Sequence, residues 1–284
     1  MAPTDQELNH AAETWGIPLD FLRASLDEEE QSRLECEVPG VTLILIRVPV
    51  MEQGPSGTRY NTVPFGIVVS GGGVVTVCLR ENPLLENLKK ETSATFTSTP
   101  ANFVFRLLYR TSALYLHYLR QLDHQTDAIE QHLHQSMKNE QLMKLLNVQK
   151  SLVYFFTSLK SNNLVIERLQ RARPFPVTPE DEDLLEDVII ENRQAMEMNE
   201  TYNGILSGLM EFFASIISNN LNIVMKFLSA ITIVLALPAI VGAFYGMNVA
   251  LPGQAHPAAF WVIMGVAVLL SGSAAVYLYK KNMF

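Results

Sequence analysis

The chain has 284 residues and a formal net charge of −8, a balance that argues against phosphate-backbone binding, so no nucleic-acid partner is expected. Apolar residues make up 48% of it and concentrate toward the C-terminal end. Its two cysteines, Cys36 and Cys78, form neither a disulfide framework nor a metal knuckle and read as small core filler in a reducing compartment.

The opening stretch "MAPTDQELNHAAETWGIPLDFL" is polar and acidic and lacks the basic and apolar regions of a signal peptide. The first part of the chain is therefore expected in the cytosol. Residues 1–100 read as a mixed α/β region. "VTLILIRVPV" (Val41 to Val50) and "TVPFGIVVSGGGVVTVCL" (Thr62 to Leu79) are β-branched runs with turn punctuation. "SGGG" (Ser70 to Gly73) lacks the Gly-Lys-Ser/Thr of a phosphate loop and sits between strand-like runs, so it reads as a hairpin turn.

A helical region follows over residues 101–220, with the apolar pattern running from about Asn102 to Arg171. His124, Asp127 and His134 fall near one helix face, but no cysteine joins them, and a polar face explains them better than zinc. "RPFPVTP" (Arg173 to Pro179) breaks the pattern, and Thr178-Pro179 followed by acidic residues is a helix start. Apolar positions then recur through Leu185, Val188, Asn192, Ala195, Tyr202, Ile205, Leu209, Phe212 and Ile216. One helix from Glu180 to Phe244 would be about 97 Å long, a rod able to carry a cytosolic event to a membrane segment. Its head is acidic: Glu180, Asp181, Glu182, Asp183, Glu186 and Asp187. Helix-dipole complementarity accounts for most of these; divalent sensing at a subunit contact would need only one or two.

Residues 221–284 read as a membrane domain. Phe227 to Phe244 is an uncharged run of 18 residues and Ala258 to Tyr279 one of 22, each close to the length of a membrane-spanning helix. The first span is placed at about 225–244, the outer loop at 245–257 and the second span at 258–279. Lys226, Lys280 and Lys281 flank the outer ends, whereas the loop has no Lys or Arg. Both termini are therefore expected in the cytoplasm, with Phe260 and Trp261 as an interfacial anchor. Two helices cannot enclose an aqueous path, so a pore would require a homo-oligomer. Asn222, Met225, Ser229, Thr232, Ala236, Ala239 or Ile240, and Ala243 share one face of the first span. That small, polar stripe suits a pore lining or close helix packing. Pro238 is expected to kink the span or free a carbonyl.

The loop opens with Tyr245-Gly246-Met247-Asn248. Gly246 suits a turn at a helix end, and Asn248 offers an amide without charge. A ring of such amides could hold the water shell of Mg²⁺, which dehydrates reluctantly. "YGMN" at this position resembles the signature of the CorA-type magnesium channel family. "LVYFFTSLKSNNLVIERL" (Leu152 to Leu169), "LLEDVIIENRQA" (Leu184 to Ala195), "NIVMKFLSAITIV" (Asn222 to Val234) and "WGIPLDFLRASLDEEEQSRLE" (Trp15 to Glu35) resemble it too, so the likeness covers essentially the whole chain. It implies an α+β cytosolic domain, long helices and two transmembrane helices in a homopentameric, funnel-shaped channel of the inner membrane. It implies Asn248 as the first site for hydrated Mg²⁺ and a constriction at Asn222, Met225 and Leu228. Asp187 matches an acidic position where intracellular Mg²⁺ closes the pore; its partner across the interface is not assigned.

One departure stands out. Many relatives carry an acidic residue in the outer loop, whereas "VALPGQAHP" has only His256 as a titratable group, which removes an attractor for cations. The resulting expectation is a gated Mg²⁺ channel, with Co²⁺ or Ni²⁺ as further ions and the bilayer, divalent cations and its own copies as partners. A zinc transporter like the family's ZntB branch is the nearest rival, although Met247 argues against it. A membrane-anchored sensor or scaffold is another. No catalytic constellation or cofactor fingerprint is visible, so neither an enzyme nor a cofactor is expected; Mg²⁺ would be the transported and regulatory ion.

Overall fold

The computed structural model describes residues 3–54, 57–71, 73–80, 84, 99–135, 139–249, 251, 253 and 256–283. The chain divides into two compact units, Met1–Ser207 and Gly208–Phe284.

The first unit begins with two short helices, α1 (Asp5–Trp15) and α2 (Leu19–Ala24). α1 starts with a reciprocal cap: Thr4 Oγ1 accepts from the Glu7 N–H at 3.3 Å, and Glu7 Oε2 accepts from the Thr4 N–H at 2.7 Å, satisfying two donors that a helix start leaves open. Gly16, at φ 64°, ends it. Four strands follow, β1 (Arg33–Val38), β2 (Val41–Gly54), β3 (Gly57–Ser70) and β4 (Gly73–Cys78). They pair antiparallel in the order β1-β2-β3-β4.

The long β2–β3 hairpin supplies the middle of the core. Side chains alternate across a strand, so Ile44, Ile46 and Val48 face one way with their partners Ile67, Phe65 and Val63. Leu43 and its partner Val68 face the other. The first face packs under α3 (Pro100–Gln135) and α4 (Asn139–Ala172), through Val104, Phe105 and Leu108 of α3 and Val165, Ile166 and Leu169 of α4. The start of α5 (Pro179–Tyr245) adds Leu185 and Val188. The second face packs under α1 and α2, through Leu8, Phe21 and Leu22. Gly66 lets α2 approach closely, because a Cβ there would lie 1.8 Å from Ser25 Oγ.

Polar side chains join the layers. The Asn162 side chain on α4 donates to the Arg47 carbonyl at 2.8 Å and accepts from the Arg47 N–H at 2.9 Å. It thereby satisfies β2 beyond the residues that β1 pairs. The Arg47 guanidinium donates to the carbonyls of Glu28, Glu30 and Thr62, fixing the loop between α2 and β1. Burial pushes its pKa down, partly countered by Tyr115 and Glu28.

The Ser70–Gly73 hairpin is present, with Ser70 paired to Gly73; Gly72 lies outside the described residues. The helical pattern from about Asn102 to Arg171 is carried by two helices, α3 and α4. Two expectations are corrected. Cys36 is exposed on β1 rather than core filler, whereas Cys78 is half-buried against the core. On α5 the buried stripe runs Leu185, Val188, Asn192, Ala195, Asn199 and Leu206, leaving Ile205 55% exposed. A polar residue, Asn199, holds the buried position that an apolar search passes over.

The second unit holds the remainder of α5 and α6 (Ala259–Lys280). Both helices are long and apolar enough to cross a membrane, and only 6% of each apolar window is buried. A core helix of a soluble protein would bury most of such a window. α6 carries Phe260 and Trp261 at one end and Tyr277 and Tyr279 at the other, all more than 60% exposed, the arrangement of aromatic belts at two membrane faces.

Candidate functional site

α5 starts from a closed hydrogen-bond cluster. Thr178 Oγ1 accepts from the Asp181 N–H at 3.3 Å, and Asp181 Oδ2 accepts from the Thr178 N–H at 3.1 Å. Asp181 also accepts from Thr99 Oγ1 and Asn102 Nδ2, each at 3.1 Å. Its side chain thus ties the first turn of α5 to the first turn of α3. Burial pushes the carboxyl pKa up, but donors from Thr178, Asn102 and Thr99 outweigh it and leave it below the usual value. The role of Asp181 was hidden among six acidic residues; the signal was its place three residues after the capping Thr178.

The rest of the acidic head is different. Glu182 pairs with Arg173 at 2.8 Å. Asp187 is exposed, and among the described residues nothing in its own chain pairs with it. His124 and Asp127 are exposed, and the His134 side chain lies outside the described residues. No group of three metal-ligating side chains occurs among the described residues.

Along the apolar part of α5, burial separates two faces. Ala230 is fully buried, and Ile231, Val234, Leu237 and Val241 are half-buried. These recur at three and four residues and mark one side of the helix. Asn222, Met225, Leu228, Ser229, Thr232 and Ala243 are exposed, with Ala236 half-buried. At about 100° per residue they centre on the opposite side, which the chain itself leaves uncovered. Thr232 Oγ1 donates to the Leu228 carbonyl at 2.8 Å, so its hydroxyl oxygen retains acceptor capacity. Helix α5 continues through Pro238, whose missing N–H leaves the Val234 carbonyl without its usual donor. Pro238, Gly242 and Tyr245 line an apolar cavity of about 530 Å³ with Ala259, Ile263 and Ala267 of α6.

The helix ends at Tyr245. The Gly246 N–H donates to the Gly242 carbonyl at 2.9 Å, and the Met247 N–H to the Phe244 carbonyl at 3.4 Å. A Cβ at Gly246 would sit 3.2 Å from the Gly242 carbonyl oxygen. That approach is tight, and the backbone at Gly246 is not left-handed. Met247 and Asn248 follow in a bend, both exposed. Residues 250, 252, 254 and 255 of the outer loop lie outside the described residues. Before α6, the Ala258 N–H donates to His256 Nδ1 at 3.2 Å.

An α+β unit in one chain with two exposed helices long and apolar enough to cross a membrane fits a membrane protein with a large domain outside the bilayer. Comparison with known proteins makes the class specific. The profile of the family described as CorA-like Mg2+ transporter protein matches residues 1–280, and the chain belongs to that family of divalent-cation transporters. The cobalt/magnesium transport protein CorA of Methanocaldococcus jannaschii is 27% identical over 286 aligned positions, covering 99% of this chain and 88% of that protein. The Thermotoga maritima CorA is 25% identical over 165 positions, covering 58% of this chain and 47% of its own length. The complete structure of the M. jannaschii CorA magnesium transporter superposes with a TM-score of 0.85 over 98% of this chain and 87% of that one. The ZntB cytoplasmic domain of Vibrio parahaemolyticus, at 11% identity and a TM-score of 0.60 over 75% of this chain and 84% of that one, shares the fold alone.

Proposed function

We propose that the chain is a gated Mg²⁺ channel, admitting Co²⁺ and Ni²⁺ as well, built from five copies in a cell membrane with both termini in the cytoplasm. The observation that carries this reading is the uncovered face of α5, mostly small or polar from Asn222 to Ala243, which ends at Gly246-Met247-Asn248. Five such faces around an axis would enclose a path that no single copy can.

In this reading the exposed Asn248 amides hold the water shell of an arriving Mg²⁺, which is cheaper than stripping it. Neutral ligands bind the ion weakly enough to release it. Ser229, Thr232, Ala236 and Ala243 let the hydrated ion pass, and Asn222, Met225 and Leu228 form the constriction. An inside-negative potential drives entry with about 4.6 kcal/mol per 100 mV for a divalent charge. Asp187, exposed and without a partner among the described residues of its own chain, is the regulatory ligand: Mg²⁺ held between its carboxylate and a neighbouring copy favours the closed state.

The test is Mg²⁺ flux into liposomes holding the full chain under an inside-negative potential. Wild-type flux is expected, falling at least about tenfold in Asn248→Ala if each amide contributes a hydrogen bond to a charged, hydrated ion. Asp187→Ala is expected to keep conducting at internal Mg²⁺ that closes the wild type. Zn²⁺ flux without Mg²⁺ flux would move the chain to a zinc transporter, and no divalent flux from a verified oligomer would leave a sensor or scaffold.

A further inference from the structure

From Phe227 to Tyr279 the sequence contains no Asp, Glu, Lys, Arg or Cys. His256 is the one histidine there, and the remaining titratable side chains are Tyr245, Tyr277 and Tyr279. Tyrosines keep their protons at neutral pH, while histidine changes charge between about pH 5 and 8. Any copy packed nearby brings the same residues. No other group facing His256 from the loop, from the end of α5 or from the start of α6 can therefore change charge in that range.

The structure gives this imidazole a defined state. The Ala258 N–H donates to Nδ1 at 3.2 Å, the Ala259 N–H donates to the His256 carbonyl at 2.9 Å, and the His256 N–H donates to the Gly253 carbonyl at 3.1 Å. A backbone N–H can only donate, so Nδ1 is an acceptor and the ring proton sits on Nε2. The ring is neutral, and it satisfies one of the donors that the first turn of α6 leaves open. It is also exposed. Protonating Nδ1 breaks the bond to Ala258 and adds a positive charge to the loop. Ligating a transition metal through Nε2 requires the proton to move to Nδ1, which breaks the same bond. The cap thus holds the ring in a form that neither repels cations nor captures soft ones.

We infer that His256 is a proton-sensitive charge switch at the outer mouth, so that external acid suppresses cation entry. This rests on the reading that cations enter from the His256 side. One imidazolium about 10 Å from a divalent ion, screened at physiological salt, opposes occupancy about 1.5-fold, and a ring of five about sevenfold.

The test uses cells that express the full chain and insert it in its native orientation. Membrane potential and internal pH are clamped, and Mg²⁺ uptake above a vector-only control is followed as external pH moves from about 8 to about 5.5. Wild-type uptake is expected to fall about sevenfold. His256→Asn keeps an acceptor for the Ala258 N–H but takes no proton, so its uptake is expected to stay flat. His256→Gln, at the same membrane abundance, provides a second non-titrating variant. His256→Lys is expected to be low at every pH. A flat wild type, or a wild-type profile in either non-titrating variant, overturns the switch and leaves the channel reading standing. Loss of uptake at pH 8 in both non-titrating variants makes the cap structural and also overturns it. No uptake above control at any pH overturns both readings.

Discussion

In the first unit some buried hydroxyls, such as Thr111 and Thr126, donate one turn back on their own helix, but other buried polar groups find partners far away in the sequence. Asn162 meets the Arg47 peptide, the Tyr60 N–H donates to Ser151 Oγ, and Ser158 Oγ donates to Thr62 Oγ1. In the second unit the hydroxyls of Thr232, Ser271 and Ser273 each donate to a carbonyl one turn back on their own helix. The apolar side chains divide in the same way. Phe65, Ile44 and Ile46 are wholly buried, whereas Leu235, Leu269 and Trp261 are about 70% exposed. A unit surrounded by water must bury its apolar residues and can use long-range hydrogen bonds to fix the layers. One surrounded by lipid must satisfy each polar group locally and has little to gain by hiding leucine from an apolar solvent. The two units fold under opposite solvent rules within one chain, and α5 contains residues that obey each.

The sharpest break of that comparison is a core truncation. Phe65→Ala should destabilise the first unit by about 3–5 kcal/mol, the range for a fully buried aromatic. The chain has two tryptophans, so guanidinium unfolding in a Trp261→Phe background leaves Trp15 to report on the first unit. A loss below 1 kcal/mol would mean that the sheet core is looser than its burial indicates.

Next in size is the Asp181 anchor. Asp181→Ala removes the acceptor for Thr178, Asn102 and Thr99 and should cost about 1–2 kcal/mol at neutral pH. The folded pKa is lowered, so this contribution is complete above the unfolded value of about 3.9 and is lost as pH falls through the folded one. The stability difference between wild type and Asp181→Ala should therefore persist from pH 7 to about pH 5 and shrink below about pH 4. A constant difference down to pH 3 would show that Asp181 acts through packing, not through its charge.

Much of this organisation is legible in residue patterns. The middles of β2 and β3 follow from β-branched runs, and the spans from their uncharged length. β1 is harder to see, since Arg33-Leu34-Glu35-Cys36 alternates charged with apolar residues and resembles a polar linker until β2 is beside it. Asn199 conceals the buried stripe of α5 because a packed amide looks like a surface residue in a hydrophobicity pattern. The face from Asn222 to Ala243 is legible as a face, and its exposure in a single copy adds that the second span does not cover it. In the proposed assembly what covers it, like the partner of Asp187, would belong to another copy, and periodicity along one helix carries no information about a neighbour's residues.

The smallest effect is expected where the second unit meets lipid. Leu269 is 71% exposed on α6. Exchanging its contacts with acyl chains for those of a smaller side chain changes little, because lipid tails are as apolar as leucine. Leu269→Ala should shift the thermal midpoint of the full chain in nanodiscs by less than about 2 °C. Ala230→Leu provides the contrast within the same unit: Ala230 is fully buried, and inserting a larger side chain there should cost about 1–3 kcal/mol by overpacking. If Leu269→Ala proved as damaging as Ala230→Leu, Leu269 would have to be covered by another copy, and the outer face of α6 would be an assembly surface instead of a lipid-facing one.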